Sequence, residues 1–181
     1  MAIVDALLNL FFPRKCVVCG HRLMQHEAHL CMHCLGNIPH TLYHRYPENP
    51  LEQKFYGSVR IEKATSYFFY SPDSPYHAII HEMKYYGHIK LGIYMGRCIA
   101  THLMAENSDF FTGIEVIVPV PLAPQRMKQR GYNQCELLAE GLRQVTGHKV
   151  VADALIRTID NPTQTHLTNT ERWENVKGIF M

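Results

Sequence analysis

The chain has 181 residues, of which 46% are hydrophobic and 19% are charged, and its formal net charge is +2. This length and composition are those of a folded, water-soluble protein with one sizeable core and a small appendage. The net charge is too small to indicate nucleic-acid binding by itself, so a basic site would have to be local. The sequence contains neither an internal repeat nor a low-complexity tract.

An apolar stretch over residues 2–12 precedes the first cysteine. It is far shorter than the roughly 20 residues of a membrane-spanning helix, it contains Asp5, and it lacks the features of a cleaved signal. We therefore expect a short packing helix, with no membrane insertion and no export. The expected location is the reducing cytoplasm, where clustered cysteines favour a metal site over disulfides.

A cysteine motif of the form C-x2-C-x11-C-x2-C consists of Cys16, Cys19, Cys31 and Cys34. Paired C-x2-C knuckles bring four thiolates to one tetrahedral ion and leave no open position for substrate, so the motif predicts a structural zinc ribbon. Unliganded cysteines and a redox C-x-x-C pair are the alternatives. We interpret the nearby histidines as surface residues, namely His21, His26, His29 and His33.

The segment after the cysteines is rich in proline and polar residues, which predicts a linker over 39–57. A short helix is expected over 51–56. Residues 59–70 are rich in β-branched and aromatic residues, which predicts a strand. Ser74 and the proline after it predict the start of a helix, and a second helix with one apolar stripe is expected over 88–107.

The stretch 115–134 has the pattern of a ligand site. Residues 116–118 are apolar and β-branched, which predicts a strand buried on both faces, and two prolines then end it. A polar loop precedes a helix that we expect to begin near Tyr132 and to stop at Gly147. The cations of that loop are Arg126, Lys128 and Arg130.

The remainder of the chain completes an alternation of strands and helices. A short strand is expected at 149–151, an extended segment at 155–157, a short helix at 171–176 and a final strand after Gly178. The alternation predicts an α/β fold with a mainly parallel sheet, in which ligands bind at the carboxyl ends of the strands. The expected domains are an N-terminal helix and zinc ribbon (1–38), a linker (39–57) and a main domain (58–181).

Three motifs occur in a fixed order along the chain. They are M-K-Y-Y-G-H at 83–88, P-V-P-L-x3-R-x3-R-G-Y-N-Q at 119–134 and T-Q-T-H-L-T-N-T-E-R-W-E-N-V-K-G-I-F at 163–180. Together they resemble the competence protein F family, whose members join a zinc ribbon to a type I phosphoribosyltransferase-like domain. In that family an acidic D-D-x-x-T-T-G loop follows and holds phosphoribosyl pyrophosphate. The present sequence ends at Met181, before any such loop.

The resemblance implies a binding site for phosphoribosyl pyrophosphate and Mg²⁺ at the turn after the first core strand, which is Pro119, Val120 and Pro121. Because prolines offer few amide donors, cationic side chains would have to contribute more, and guanidinium groups suit bidentate phosphate contacts. The other candidate binding residues are Arg126, Arg130, Asn133, Gln134 and Lys84. No catalytic residue is assigned.

The same cations also have plainer interpretations. Arg126, Lys128 and Arg130 could be a solvated face of a loop. Lys84 lies near the carboxyl end of a predicted helix, where a cation compensates the helix dipole.

Two functions follow from these features. The first is an enzyme that transfers or hydrolyses the phosphoribosyl group of phosphoribosyl pyrophosphate with Mg²⁺, and it is the one that the sequence favours. The second, which the resemblance implies, is a non-catalytic competence protein that handles single-stranded DNA with a helicase partner. Single strands bind cationic grooves with aromatic platforms. The candidate platforms are Tyr43, Tyr46, Tyr85 and Tyr86.

Overall fold

The computed structural model describes residues 13–160 and 178–181. The chain divides into two compact units, Met1–Glu82 and Met83–Met181. The three domains predicted from the sequence stay a prediction. Two of the predicted helices lie outside the described residues, those over 2–12 and 171–176.

Helices dominate the described part of the chain. The elements are α1 (Met32–Gly36), α2 (His77–Tyr85), α3 (Ile89–Glu106), β1 (Val116–Ile117), α4 (Pro124–Arg130), α5 (Gln134–Thr146) and β2 (Lys149–Val150). Two short 3-10 helices lie between α1 and α2, at Tyr43–Arg45 and Glu52–Phe55. The two strands pair in parallel, so the architecture is mixed α/β with a small parallel sheet. Among the described helices, none has both the length and the apolar character needed to cross a bilayer.

The first unit begins with a tight turn around the first cysteine pair. Lys15 and Arg22 form an antiparallel bridge on either side of it. The amide of Cys16 donates to the carbonyl of His21 at 2.8 Å, which closes the turn. Helix α1 then carries Cys34 and has Cys31 as its N-cap, so both pairs lie on short, hydrogen-bonded pieces of backbone.

The strand predicted over 59–70 is wrong, since one residue of this segment, Phe68, forms an isolated β-bridge and the rest is irregular. Side chains take the backbone hydrogen bonds that a neighbouring strand would have made. The side-chain Nδ2 of Asn49 donates to the backbone carbonyl of Ala64 at 2.9 Å. A carboxylate oxygen of Glu52 accepts from the backbone amide of Ala64 at 3.1 Å. Composition therefore suggested a strand where polar side chains dictate an irregular path.

Asn49 is the polar centre of this region, with 3% of its surface exposed. Its Oδ1 accepts from the amides of Leu51 and Glu52 at 2.9 and 3.1 Å, at the start of the second 3-10 helix. That helix confirms the short helix expected over 51–56.

The core of the second unit is the packing of α3 against α5. Helix α3 buries Leu91 and Met95, as its apolar stripe predicted. The two backbones touch where glycines face each other. A Cβ atom placed on Gly141 would lie 2.2 Å from the Ile93 carbonyl oxygen and 2.7 Å from the Cα of Gly96. Neither glycine position has room for a side chain.

The loop predicted to carry the three cations is instead helix α4. Pro124 occupies its first turn, where a missing amide hydrogen costs nothing, and Gly131 ends it with φ of 79°. The next helix, α5, begins at Gln134 after the cap residue Asn133 and ends at Gly147 with φ of 77°, close to the predicted limits.

Strand β1 is exposed, and the prediction that it is buried on both faces is wrong. Val116 is 42% exposed and Val118, just after the strand, is 41% exposed. In the described part of the chain the sheet has two strands of two residues each. So small a sheet offers little surface on which helices could pack and bury β1. Within residues 13–160 and 178–181, this pair is the part of the expected parallel sheet that is present.

The chain end confirms two further extended segments. The amide of Ile156 donates to the carbonyl of Met181 at 2.7 Å, and the amide of Met181 donates back at 2.9 Å. Arg157 and Phe180 form an antiparallel bridge next to these bonds, and the amide of Thr158 donates to the carbonyl of Ile179 at 3.0 Å on its other side. The pairing is therefore antiparallel and does not extend the parallel sheet.

Candidate metal centre and cationic cleft

The four cysteines of the C-x2-C pairs converge at one point of the first unit. The Sγ atoms of Cys16, Cys19, Cys31 and Cys34 all lie within 4.8 Å of one another. Those of Cys19 and Cys31 are 3.7 Å apart. A disulfide would be about 2.05 Å long, whereas zinc–sulfur bonds of about 2.3 Å in a tetrahedron give an edge of about 3.8 Å. The cluster therefore fits a zinc ion held by four sulfur ligands.

Backbone amides stabilise negative charge on these sulfurs. The amide of Cys31 donates to the Sγ of Cys16 at 3.3 Å. Burial raises the pKa of Cys16, but the amides of three neighbouring residues outweigh it and hold the pKa at about 7. Burial and the other three sulfurs raise the pKa of Cys34. One thiolate is thus favoured and further ones are opposed, so a cation would be needed to hold four.

Glu27 organises the loop between the two cysteine pairs, although it is not a ligand. It is 8% exposed, and its two carboxylate oxygens accept from the amides of Met24 and Met32 at 2.7 Å each. These bonds hold the pKa of Glu27 below its ordinary value. Because Met32 follows Cys31 directly, the carboxylate orients the second knuckle. Sequence analysis missed this residue, and the charge in a cysteine-flanked loop was its one signal.

Three of the predicted anion-binding residues meet in an open cleft of the second unit, with a volume of about 180 Å³. The cleft is lined by Lys84, Tyr85, Gly87, Arg126, Gln129, Arg130 and Tyr132. Arg126 and Arg130 are four residues apart on α4 and therefore share one face of the helix. Lys128 lies between them in sequence, is exposed, and is not one of the lining residues.

Three cations of the cleft have no described carboxylate close enough for an ion pair. Within the described ranges, 13–160 and 178–181, no carboxylate lies within ion-pair distance of Lys84, Arg126 or Arg130. Arg157 lies near these cations. Burial lowers its pKa, the positive charge of Arg126 lowers it further, and the negative charge of Asp160 raises it. An arginine stays protonated despite such a shift. The described lining of the cleft is therefore positively charged.

Arg130 and two tyrosines shape the cleft. The guanidinium of Arg130 lies over the ring of Tyr85, 5.7 Å from its centroid, and donates a hydrogen bond to Gln134 Oε1. The hydroxyl of Tyr132 donates to the carbonyl of Met83 at 2.9 Å. This bond ties the carboxyl end of α2 to the chain between α4 and α5, so Lys84 is held near the arginines.

The other candidate binding residues lie beside the cleft. Asn133 is 2% exposed, its Nδ2 donates to the carbonyl of Val120 at 3.0 Å, and its Oδ1 accepts from the amide of Cys135 at 2.9 Å. Its side chain thus joins the turn to α5. Pro119 and Pro121 flank Val120 in that turn, and in the described part of the chain none of the three is a lining residue.

Sequence reasoning missed three residues of this region, which are Gln129, Tyr132 and Arg157. Gln129 and Tyr132 belong to the R-x3-R-G-Y-N-Q motif, so the motif was a signal for them. Arg157 is distant in sequence and has no local pattern that would connect it with α4.

Comparisons with known proteins place the chain near proteins associated with DNA. No family model matches it, and no solved structure matches it. DNA utilization protein YhgH of Salmonella typhimurium is 27% identical over 169 residues, covering 91% of this chain and 69% of that protein. The protein of the same name in Escherichia coli is 28% identical over 168 residues, with the same two coverages. That of Salmonella typhi is 26% identical over 166 residues.

These relatives bear on the resemblance noted in the sequence. They are named for DNA utilization, and the four-cysteine cluster fits a zinc ribbon. The phosphoribosyltransferase-like domain that the competence protein F resemblance implies stays a prediction.

Proposed function

We propose that this chain is a non-catalytic protein of DNA utilization that holds phosphates of a DNA single strand in the cationic cleft. The carrying observation is the meeting of Lys84, Arg126 and Arg130 around one cleft with no described carboxylate in ion-pair distance. Phosphate contacts supply most of the affinity of such proteins, and they need cations rather than a catalytic constellation. The names of the relatives support the same assignment.

Exposed tyrosines add a second support. Tyr46, Tyr85 and Tyr86 are 60%, 66% and 61% exposed. Tyr43, the fourth candidate platform, is only half-exposed and packs edge-on against Phe69, with ring centroids 5.8 Å apart. Unstacked bases can use the exposed rings as platforms, which duplex DNA cannot do.

The zinc ribbon has a structural role in this proposal. Four sulfur ligands leave no open coordination position, so bound zinc would hold the first unit together rather than act on substrate. Thiolate ligands require a reducing compartment, and we propose the cytoplasm. The helicase partner that the family resemblance implies belongs to the same proposal.

The test is binding of a fluorescent single-stranded oligonucleotide of about 20 nucleotides, longer than most single-strand sites, across a salt series. Arg126→Ala should weaken binding and lower the slope of log K against log salt by about 1, because one phosphate contact is lost. Lys128→Ala is the matched control, since this exposed cation of the same helix does not line the cleft. If the two substitutions weaken binding equally, the cleft is not the DNA-binding site.

Phosphoribosyl pyrophosphate is a second candidate ligand for the same cleft. The observation in its favour is the position of Arg126 and Arg130 just after the P-V-P-L turn that the family resemblance assigns to pyrophosphate. None of the residues described as lining the cleft is acidic, so Mg²⁺ would be held by the pyrophosphate oxygens.

Calorimetric titration with phosphoribosyl pyrophosphate, with and without Mg²⁺, tests the second candidate. Binding that needs Mg²⁺, is lost in Arg130→Ala and is followed by release of pyrophosphate would establish the enzyme. Retained oligonucleotide binding with no response to phosphoribosyl pyrophosphate would leave the DNA assignment alone.

A further inference from the structure

The cleft concentrates more positive charge than one internal phosphate of a DNA strand can neutralise. Lys84, Arg126 and Arg130 line a volume of about 180 Å³. An internal phosphodiester has one negative charge and two free oxygens. A terminal phosphomonoester has a charge of about −1.5 to −2 near neutral pH and three acceptor oxygens. Three cationic donors around one small volume match the terminal group better.

An aromatic ring lies at the same place. Tyr85 lines the cleft and is 66% exposed, and the guanidinium of Arg130 lies over its ring at 5.7 Å from the centroid. If a phosphate contacts Arg130, the nucleoside attached to that phosphate can therefore reach the ring of Tyr85. Stacking of one base on such a face changes affinity by about tenfold or more.

The framework of the cleft is fixed by hydrogen bonds. The Tyr132 hydroxyl is bonded to the Met83 carbonyl at 2.9 Å, and Arg130 is bonded to the side chain of Gln134. Arg130, which lies over the Tyr85 ring, and the backbone beside Lys84 are thus held in place without a ligand, which lowers the cost of ordering them on binding.

We infer that the cleft binds the phosphorylated end of a DNA single strand, with the terminal phosphate on Lys84, Arg126 and Arg130 and the terminal base stacked on Tyr85. This inference rests on the proposed function and makes it specific for a strand end. A free nucleoside monophosphate has the same chemistry, and the experiment separates the two sources.

The experiment compares internally labelled oligonucleotides of one sequence that have a 5′-phosphate, a 3′-phosphate or hydroxyls at both ends. One phosphorylated form should bind about tenfold tighter than the hydroxyl form, because its terminal phosphate has more negative charge and places the terminal base on Tyr85. Tyr85→Ala should remove most of that advantage. Tyr70→Ala is the matched control, since this tyrosine is 62% exposed but neither lines the cleft nor is one of the candidate platforms.

Three results would overturn the inference. Equal binding of all three oligonucleotides, with Arg126→Ala still weakening each of them, would reject end recognition and leave the proposed function standing. Absence of oligonucleotide binding altogether would reject both. If a nucleoside monophosphate displaces the labelled strand at the same concentration as the unlabelled phosphorylated strand does, the cleft would be assigned to free nucleotides. Inorganic phosphate should compete far more weakly than either, because it lacks the base.

Discussion

The two units of the chain are stabilised in different ways. In the first unit the described elements are short, and the cysteine pairs, Glu27 and Asn49 hold the backbone through sulfur and hydrogen-bond contacts. In the second unit two long helices pack so closely that Gly96 and Gly141 touch. The first unit relies on polar and metal-ligating side chains, whereas the second relies on the fit of two apolar helix faces.

This difference has a consequence for how each unit should respond to change. A metal-dependent unit loses its structure when ligands or cation are removed, and it tolerates small changes of volume. A close-packed unit is indifferent to chelators, but one added methyl group disturbs it. Each of the following predictions separates the two responses.

Removal of metal should have the largest effect. Chelation at neutral pH should abolish amide-exchange protection around the cysteine pairs, because a small unit with little core depends on its metal for folding. Protection in α3 and α5 should persist. Cys34→Ser should reproduce the effect without chelator, since Cys34 is a buried member of the cluster. Simultaneous loss of protection in both units would contradict the separation.

Gly141→Ala should destabilise the second unit by about 1–3 kcal/mol, the usual cost of overpacking. The new Cβ would lie 2.2 Å from the Ile93 carbonyl oxygen, which belongs to backbone and cannot move aside cheaply. Gly36→Ala in α1 is the control, because nothing lies within 4 Å of its added Cβ and the change should be neutral or slightly stabilising. Denaturant unfolding followed by helix signal measures both. Similar losses of unfolding free energy in the two variants would contradict the close packing of α3 against α5 as the cause.

Glu27→Gln should weaken metal binding by about 10-fold to 100-fold, the usual effect of losing a group that orients a ligand. A competition titration with a chromophoric chelator measures it, and Glu62→Gln, an 88% exposed carboxylate in the same unit, is the control. The folded-state pKa of Glu27 is lowered from 4.5, so its contribution is present above that pH. The difference between wild type and variant should therefore persist across the neutral pH range in which the thiolates bind metal, because Glu27 is ionised throughout that range.

The parts of the fold that were predictable are those set by local sequence. The spacing of the C-x2-C pairs indicated the cluster, because two residues between ligands confine both sulfurs to one turn. The apolar stripe of α3 and the glycine that ends α5 are also local signals, and both predictions are confirmed. The motif containing Arg126 and Arg130 located the cleft, although its conformation was predicted as a loop.

The unpredicted parts depend on contacts between distant residues. Residues 59–70 have the composition of a strand, and no local rule shows that Asn49 and Glu52 take up the backbone bonds of Ala64. Helix α4 was missed because its cations and proline are typical of loops. The approach of Arg157 to Arg126 depends on the path of the chain between them.

The hydrogen bond from Asn133 to Val120 has a consequence for the helix that it spans. It joins the turn before α4 to the start of α5, so the intervening residues form a closed loop with both ends fixed. A helix of seven residues would melt on its own, because nucleation costs more than so few internal bonds return. Closing the loop removes much of the entropy that melting would gain. Arg126 and Arg130 therefore keep one arrangement before any ligand arrives, and rapid association is the expected kinetic behaviour for the DNA phosphate binding proposed above.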